Sequence, residues 1–471
     1  MLVESFSGIR GLIKEDLTDN LIRGYAVSFA DFIKKTGNKI VIGMDTRPSS
    51  GKIKELMKKT FLEQGINVID VGYNTAPAVQ HGIRSFKAEG GVMITASHNE
   101  PEYNGWKFMR KTGSVLKPEE IEQVIENSKN PKSEKSEQET EENKEKELQE
   151  SYTNFVLDTV GQERVNNIKN ASLKIIVDPN GGTAATIIKP LLEKLNIQVT
   201  EKNMELGIFK RLIEPNQESL AYLADEVEKE NADLGAGWDC DGDRVELVVP
   251  DNSEFTKKQG KMLSGQYILA LLVEEVLSNY KGEDRIIVTN DVTSNLVKEI
   301  AEKHNAKVIE VEVGEINVVE KMEELNSPVG GEGSSSGGIF PPSKCRDGIL
   351  TLVMILALMA KRKKKITEIL EEFPQYYNSR IKMNCSSEQI IRLRKRLEEY
   401  WKDKAKEIRK TGDETGGLKI ILEDGWVWYR ASKTEAGVFR IITDAKSKQK
   451  ADELLQKGEK AFKECIANLG K

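Results

Sequence analysis

The 471 residues carry 70 lysines and arginines against 76 aspartates and glutamates, a formal net charge of −6. That length calls for roughly three or four domains at about 100–200 residues each. The mixed, slightly acidic balance gives no basic footprint of the kind a nucleic-acid binder needs to neutralise phosphates. Cys240, Cys345, Cys385 and Cys465 lie far apart, with no C-x-x-C pair and no leader-like start. Neither a zinc site nor a disulfide framework is expected, and a reducing cytoplasm is the expected compartment.

Taken in chain order, "KIVIGMD" precedes a helical pattern over Lys52–Gln64, and "NVIDVG" and "GGVMIT" follow. Strands alternating with helices predict parallel βαβ units. From Asn127 to Glu150 the chain reads "NSKNPKSEKSEQETEENKEKELQE", almost without apolar residues. Such a segment has nothing to bury, which predicts a mobile surface insertion or a charged helix extension. The α/β rhythm restarts at "LKIIVDPNGG" and again at "DRIIVTNDVTS", so three similar units are expected although their letters do not repeat. "ILTLVMILALMA", Ile349 to Ala360, is followed by "KRKKK". It falls short of the ~20 residues that cross a bilayer and reads as a buried helix with a basic end, so no membrane partner is expected. From about Glu368 the pattern changes to an amphipathic helix, strands at "LKIILEDGWVWYR" and "GVFRIITDA", and a last helix. A smaller α+β domain is predicted there.

Several stretches carry chemistry. "FSGIRG" sets Arg10 among glycines that permit close approach to a phosphate, whereas "GMDTRPSS" reads as a helix-capping turn with Arg47 structural. "GGVMITASHNEPEYNGWKFM" ends a buried strand in a polar loop holding Ser97 and His98; read locally, it is a solvated turn. "ADLGAGWDCDGDRVELVV" spaces Asp239, Asp241 and Asp243 two apart. Carboxylates so spaced can turn toward one hard cation such as Mg²⁺, although an acidic solvated turn has the same letters. Asp178 and Asp291 read as loop and cap residues. The Gly/Ser stretch "SPVGGEGSSSGGIFPPSKCRDG" carries Glu332 with Ser334, Ser335 and Ser336, and suits either hydroxyl recognition or a flexible linker. "WVWYRASKTEAGVFR" sets Arg430, Ser432, Lys433 and Thr434 on a turn with Arg440 beyond it. Its donors suit a phosphate, and a polar hairpin tip is the alternative.

In this order, "TASHN…YNGWK", "DCDGDR", "GGEG" and "RASKTE" resemble the α-D-phosphohexomutase superfamily over nearly the whole chain. The resemblance implies an α/β, four-domain architecture: three related mixed α/β domains and a smaller C-terminal α+β domain around a central cleft. The expected bounds are 1–150, 151–252, 253–368 and 369–471. By the same resemblance Ser97 is a phosphoserine, and Asp239, Asp241 and Asp243 hold Mg²⁺ together with a Ser97 phosphate oxygen. Lys107 is then an acid or base whose pKa is lowered by Arg10 or Arg244, and His98 orients the loop. Glu332, helped by a hydroxyl of Ser334 to Ser336, grips sugar hydroxyls, while Arg430, Ser432, Lys433, Thr434 and Arg440 clamp the phosphate that is not reacting.

The implied function is interconversion of hexose 6-phosphate and hexose 1-phosphate through a 1,6-bisphosphate, as a phosphomannomutase/phosphoglucomutase with phosphoglucosamine mutase as the alternative. Glucose or mannose 1,6-bisphosphate is the implied activator. More distant alternatives are a metal-dependent sugar phosphatase and a non-catalytic sugar-phosphate binder. The chain departs from the family's pattern in three places. Glu100 stands where proline directly follows "SHN"; "GEGSSSGG" lacks the histidine of "GEMSGH" and is nearer the "GEGNGG" type of archaeal members; Lys433 and Ala436 replace asparagine and proline. The second acid/base group is therefore open, and no residue is assigned to the sugar's 2-position or to oligomer formation.

Overall fold

A computed structural model describes residues 2–5, 7–131, 140–250, 252–283, 285–432 and 437–469. The chain divides into two compact units, one made of residues 1–264 and 336–370, the other of 265–335 and 371–471.

In the first unit, apolar residues alternate along Lys39–Met44 and fill both faces of a seven-stranded sheet. Ile40, Ile42, Val92, Ile94 and Phe108 face Phe29, Met57 and Phe61 from the helices Asp19–Lys34 and Ser50–Glu63. Val41, Met93 and Met109 face Val79 and Ile83 of the helix Ala76–Ser85 on the other side. This period of two, with both faces buried, is what a central parallel strand needs. Lys39–Met44 pairs in parallel with Asn67–Tyr73 and Gly90–Ile94. The chain then turns back as Tyr103–Arg110, antiparallel to Gly90–Ile94, with Met93 opposite Lys107. The hairpin between these strands carries Ser97.

One expectation is corrected here. Within the charged segment from Asn127 to Glu150, Glu141–Asn143 forms an exposed edge strand on Asn67–Tyr73, and the helix Glu145–Val160 starts at Glu145. Leu148, Tyr152 and Val156 recur every four residues and are fully buried, so an apolar helical stripe begins inside the charged run. Residues 132–139 lie outside the described residues.

A second sheet of the same unit runs in the order Val245–Val248, Leu234–Trp238, Lys174–Asp178, Gln198–Glu201. Leu234–Trp238 and Val245–Val248 are antiparallel, and the turn between them is the aspartate loop. The apolar run from Ile349 lies on the helix Gly348–Arg362, whose residues Gly348 to Ala360 are all buried. Asp347 caps it, accepting from the Leu350 N–H at 2.9 Å, and the Tyr152 hydroxyl donates to both carboxylate oxygens at 2.7 Å.

Asp347 is fully buried, and burial outweighs these hydrogen bonds, raising its carboxyl to about 6. A carboxyl raised above its unfolded value contributes stability that is complete at low pH and is lost as pH climbs through the folded value. Asp347→Asn keeps the cap acceptor and the shape. We expect it to match the wild type near about pH 4 and to exceed it by on the order of 1–3 kcal/mol above about pH 7. Thermal melts across that range check this, and parallel curves contradict it.

In the second unit, Ile286–Asn290 pairs in parallel with Lys307–Val311 and Gly330–Glu332. A five-stranded antiparallel sheet follows, in the order Tyr377–Asn384, Val438–Ala445, Gly425–Ala431, Leu418–Leu422, Glu407–Lys410. Leu393, Leu397, Trp401, Leu454 and Phe462, from the helices Ile390–Trp401 and Lys448–Ala467, pack on one face. On the other, Trp426 and Trp428 meet Val292. Asp291, read as a cap from sequence, is instead a buried acceptor: Trp428 Nε1 donates to it at 2.9 Å, which joins the parallel and antiparallel sheets. The fold is thus α/β with a C-terminal α+β part. Among the described residues no helix is long and apolar enough to cross a membrane.

Candidate active site

The serine loop is held from beneath by Arg47. Its guanidinium donates to the carbonyls of Ser97 at 2.7 Å, Glu100 at 2.8 Å and also Asn99, while its Nε meets Asp45 at 3.0 Å. Arg47 is structural, as expected, and its structure is the loop. Ser97 takes a left-handed φ of 53°, unusual for a residue with a side chain. Its N–H donates to Thr95 Oγ1 at 2.7 Å and its hydroxyl to Asp239 Oδ2 at 3.0 Å. Lys107 comes alongside because the returning strand fits tightly: a Cβ at Gly105 would fall 1.9 Å from the Ile9 carbonyl.

Asp239, Asp241 and Asp243 leave the strand Leu234–Trp238 in a turn that needs Gly242 at φ +69°. One oxygen from each lies within 4.8 Å of the others, and all three residues are buried. Asp241 Oδ2 and Asp243 Oδ2 accept from Lys107 Nζ at 2.8 and 3.0 Å, while the Oδ1 atom of each is buried with no hydrogen-bond partner. Burial and its two neighbours push Asp239 well above the usual carboxylate range. Asp243, though buried, is held below that range by Lys107, Arg346 and Arg244. A buried cluster of hard oxygens with two unsatisfied lone-pair sites fits a divalent cation.

With no cation between the aspartates, Lys107 and His98 shift in opposite directions. Burial and Arg10 pull the Lys107 ammonium down, but Asp241 and Asp243 more than offset them and leave it above its ordinary value. His98 moves the other way: repulsion from Arg244, then burial, then Arg10 take it down to about 2, so its imidazole is neutral. Arg10 Nη1 reaches Asn99 Oδ1 at 3.4 Å, and the Arg244 N–H donates to Asp239 at 3.3 Å. Arg346, unassigned from sequence, stands 4.0 Å from Asp243 Oδ2. Its signal was slight: one arginine directly before the capping Asp347.

The three serines of the Gly/Ser loop separate. In the second unit, Glu332 accepts from Asn290 Nδ2 at 3.0 Å and from the Gly314 N–H at 2.9 Å, and Ser334 accepts from Asn290 at 3.0 Å. Ser335 opens the strand Ser335–Ile339. Ser336 belongs to the first unit, where its hydroxyl donates to Glu246. In the antiparallel sheet of the second unit, Arg430 and Arg440 are direct cross-strand partners, and the Ser432 N–H donates to the Val438 carbonyl at 2.8 Å. Lys433 and Thr434 lie outside the described residues.

Residues 4–135, 150–252 and 264–377 match, in that order, the α/β/α domains I, II and III of the phosphoglucomutase/phosphomannomutase family. A phosphoglucomutase/phosphomannomutase of Thermococcus kodakarensis is 33% identical over 467 residues, 98% of each chain. The chain belongs to the α-D-phosphohexomutase superfamily. A probable phosphoglucosamine mutase of Pyrococcus abyssi is 32% identical, over 98% of this phosphohexomutase and 97% of its own length. Among solved structures, a phosphoglucomutase/phosphomannomutase family protein of Burkholderia thailandensis superposes with a TM-score of 0.84 at 20% identity, covering 99% of this chain and 98% of its own.

The chain is thus an enzyme of the phosphohexomutase type, and its buried aspartate trio is a divalent-metal site of the Mg²⁺ kind found in that superfamily. One Lys107 ammonium stands against three closely packed carboxylates, and Asp239 is left raised by burial and its two neighbours, so a divalent cation adds charge that the site lacks. Millimolar Mg²⁺ added to metal-stripped protein is expected to raise the melting temperature by a few degrees, as a ligand of the folded state must. Asp241→Asn should abolish most of that shift, and an equal shift in the variant contradicts the assignment.

Proposed function

We propose that this phosphohexomutase interconverts hexose 6-phosphate and hexose 1-phosphate as a phosphomannomutase/phosphoglucomutase, with Ser97 carrying the phosphoryl group. The observation that carries this is the Ser97 hydroxyl 3.0 Å from Asp239, on a loop whose carbonyls Arg47 fixes. Asp239, Asp241 and Asp243 would hold Mg²⁺, which would supply charge neutralisation for the phosphoryl group. Arg10 and Arg244 add positive charge for the equatorial oxygens, and neutral His98 supplies a hydrogen bond without competing for that charge. Lys107 serves the reacting sugar oxygen: as the neutral amine it takes the hydroxyl's proton when the sugar attacks the Ser97 phosphoryl group, and so becomes the ammonium. Its ammonium form suits the donating half of the exchange, returning a proton to the hydroxyl as the phosphoryl group goes back to Ser97.

The bisphosphate formed in the first transfer must turn end for end, so recognition has to accept both orientations. Glu332 and Ser334 suit the ring hydroxyls, and Arg430, Arg440 and Ser432 suit the remote phosphate. A trace of glucose or mannose 1,6-bisphosphate primes the cycle by loading Ser97. Phosphoglucosamine is the second substrate class, favoured by the name of the Pyrococcus abyssi relative. The test is turnover of glucose, mannose and glucosamine phosphates offered in parallel with Mg²⁺ and the bisphosphate. Preference for glucose or mannose supports this reading, preference for glucosamine phosphate moves the chain to the second class, and release of free phosphate instead of isomer rejects both.

A further inference from the structure

Arg430 has a partner that the proposed function does not use. Its Nη2 donates to Glu312 Oε1 at 2.8 Å, and the arginine is only 7% exposed. A buried guanidinium needs a counter-charge, and this one has cationic company: Lys382, Arg440 and Arg430 are successive cross-strand partners over three neighbouring strands. The pairing is incomplete, because the Arg430 Nε is buried without an acceptor. One carboxylate oxygen on one nitrogen leaves half of the guanidinium fork unmet. A phosphate, with three oxygens, is the shape that takes the rest.

Glu312 also lies two residues from the Gly314 amide that holds Glu332. One short stretch after the strand Lys307–Val311 therefore touches both the arginine proposed for the phosphate and the glutamate proposed for the sugar hydroxyls.

We infer that Glu312 is an internal counter-ion, which occupies Arg430 in the ligand-free protein and is displaced from it by the remote phosphate of the phosphosugar. This rests on the reading of Arg430 as part of the phosphate clamp. Two anions at one guanidinium repel, so each productive binding event is set against the Glu312 contact, and Glu312 tunes affinity downward. The stretch from Glu312 to Gly314 thereby links phosphate arrival to the residue that reads the hydroxyls.

The experiment compares wild type, Glu312→Gln and Arg430→Ala with whichever hexose phosphate turns over fastest. Glu312→Gln keeps the shape and removes the charge. Its KM is expected to fall by about three- to tenfold, the scale on which such charge contacts alter affinity. Its ligand-free melting temperature should fall, while the rise on adding that hexose phosphate should exceed the wild type's, since the bound phosphate then supplies the negative charge that Glu312 no longer gives Arg430. An unchanged or raised KM in Glu312→Gln overturns the counter-ion role, provided Arg430→Ala raises KM by about tenfold or more. If Arg430→Ala leaves KM unchanged, the clamp reading itself fails and the inference fails with it.

Discussion

Ser97→Ala is expected to lower kcat by on the order of 10³-fold or more while leaving the protein folded. The neighbouring hydroxyl is already engaged: Thr95 Oγ1 accepts from the Ser97 N–H. Alanine costs no more than serine at a φ of 53°, because both carry a Cβ. Loss of the Oγ removes one hydrogen bond to Asp239, worth about 1 kcal/mol, and Lys107 still neutralises Asp241 and Asp243. Activity should therefore collapse with little change in melting temperature. A coupled mutase assay beside a thermal melt checks this, and a kcat within tenfold of wild type contradicts it.

Arg47→Met is expected to produce the largest loss of stability, about 3–5 kcal/mol. The side chain is 1% exposed and donates to the carbonyls of Ser97, Asn99, Glu100 and Tyr103 as well as to Asp45. Methionine fills the volume but leaves Asp45 charged and buried and the loop carbonyls without donors. Activity should fall even below the unfolding transition, because those carbonyls hold Ser97 against Asp239. Arg47→Lys keeps the charge without the planar fork and should fall between the two. Urea unfolding with kcat measured on the folded fraction tests the pair, and a methionine variant within about 1 kcal/mol of wild type rules out this role for Arg47.

The parts of the site legible in sequence were those whose chemistry is local. The aspartates stand two residues apart on one turn, whereas Ser97 and Lys107, which flank one hairpin, read locally as a solvated turn and a surface lysine and take a role only from the family resemblance. What sequence could not supply was long-range pairing. Lys107 looked crowded by arginines because its carboxylate partners lie 134 and 136 residues away. Asp178 read as a loop residue, yet it is a fully buried acceptor for the Arg211 Nε at 2.6 Å and the Tyr222 hydroxyl at 2.6 Å. At the Gly/Ser loop, composition does not distinguish the three consecutive serines, of which Ser334 accepts from Asn290 and Ser336 donates to Glu246. Composition misled near Glu150, where charge density hid the stripe of Leu148, Tyr152 and Val156. The fold was more legible, since alternation of strand and helix is written into each segment and needs no distant partner.

The most direct test of the account is to find the phosphoryl group. The protein is incubated with Mg²⁺ and glucose 1,6-bisphosphate, digested, and the peptide containing Ser97 is sequenced by mass spectrometry before and after a hexose monophosphate is added. The account predicts a phosphoryl group on Ser97 that is discharged when the monophosphate arrives. An unmodified Ser97 in protein that still turns over, or a phosphoryl group on a different residue, contradicts it.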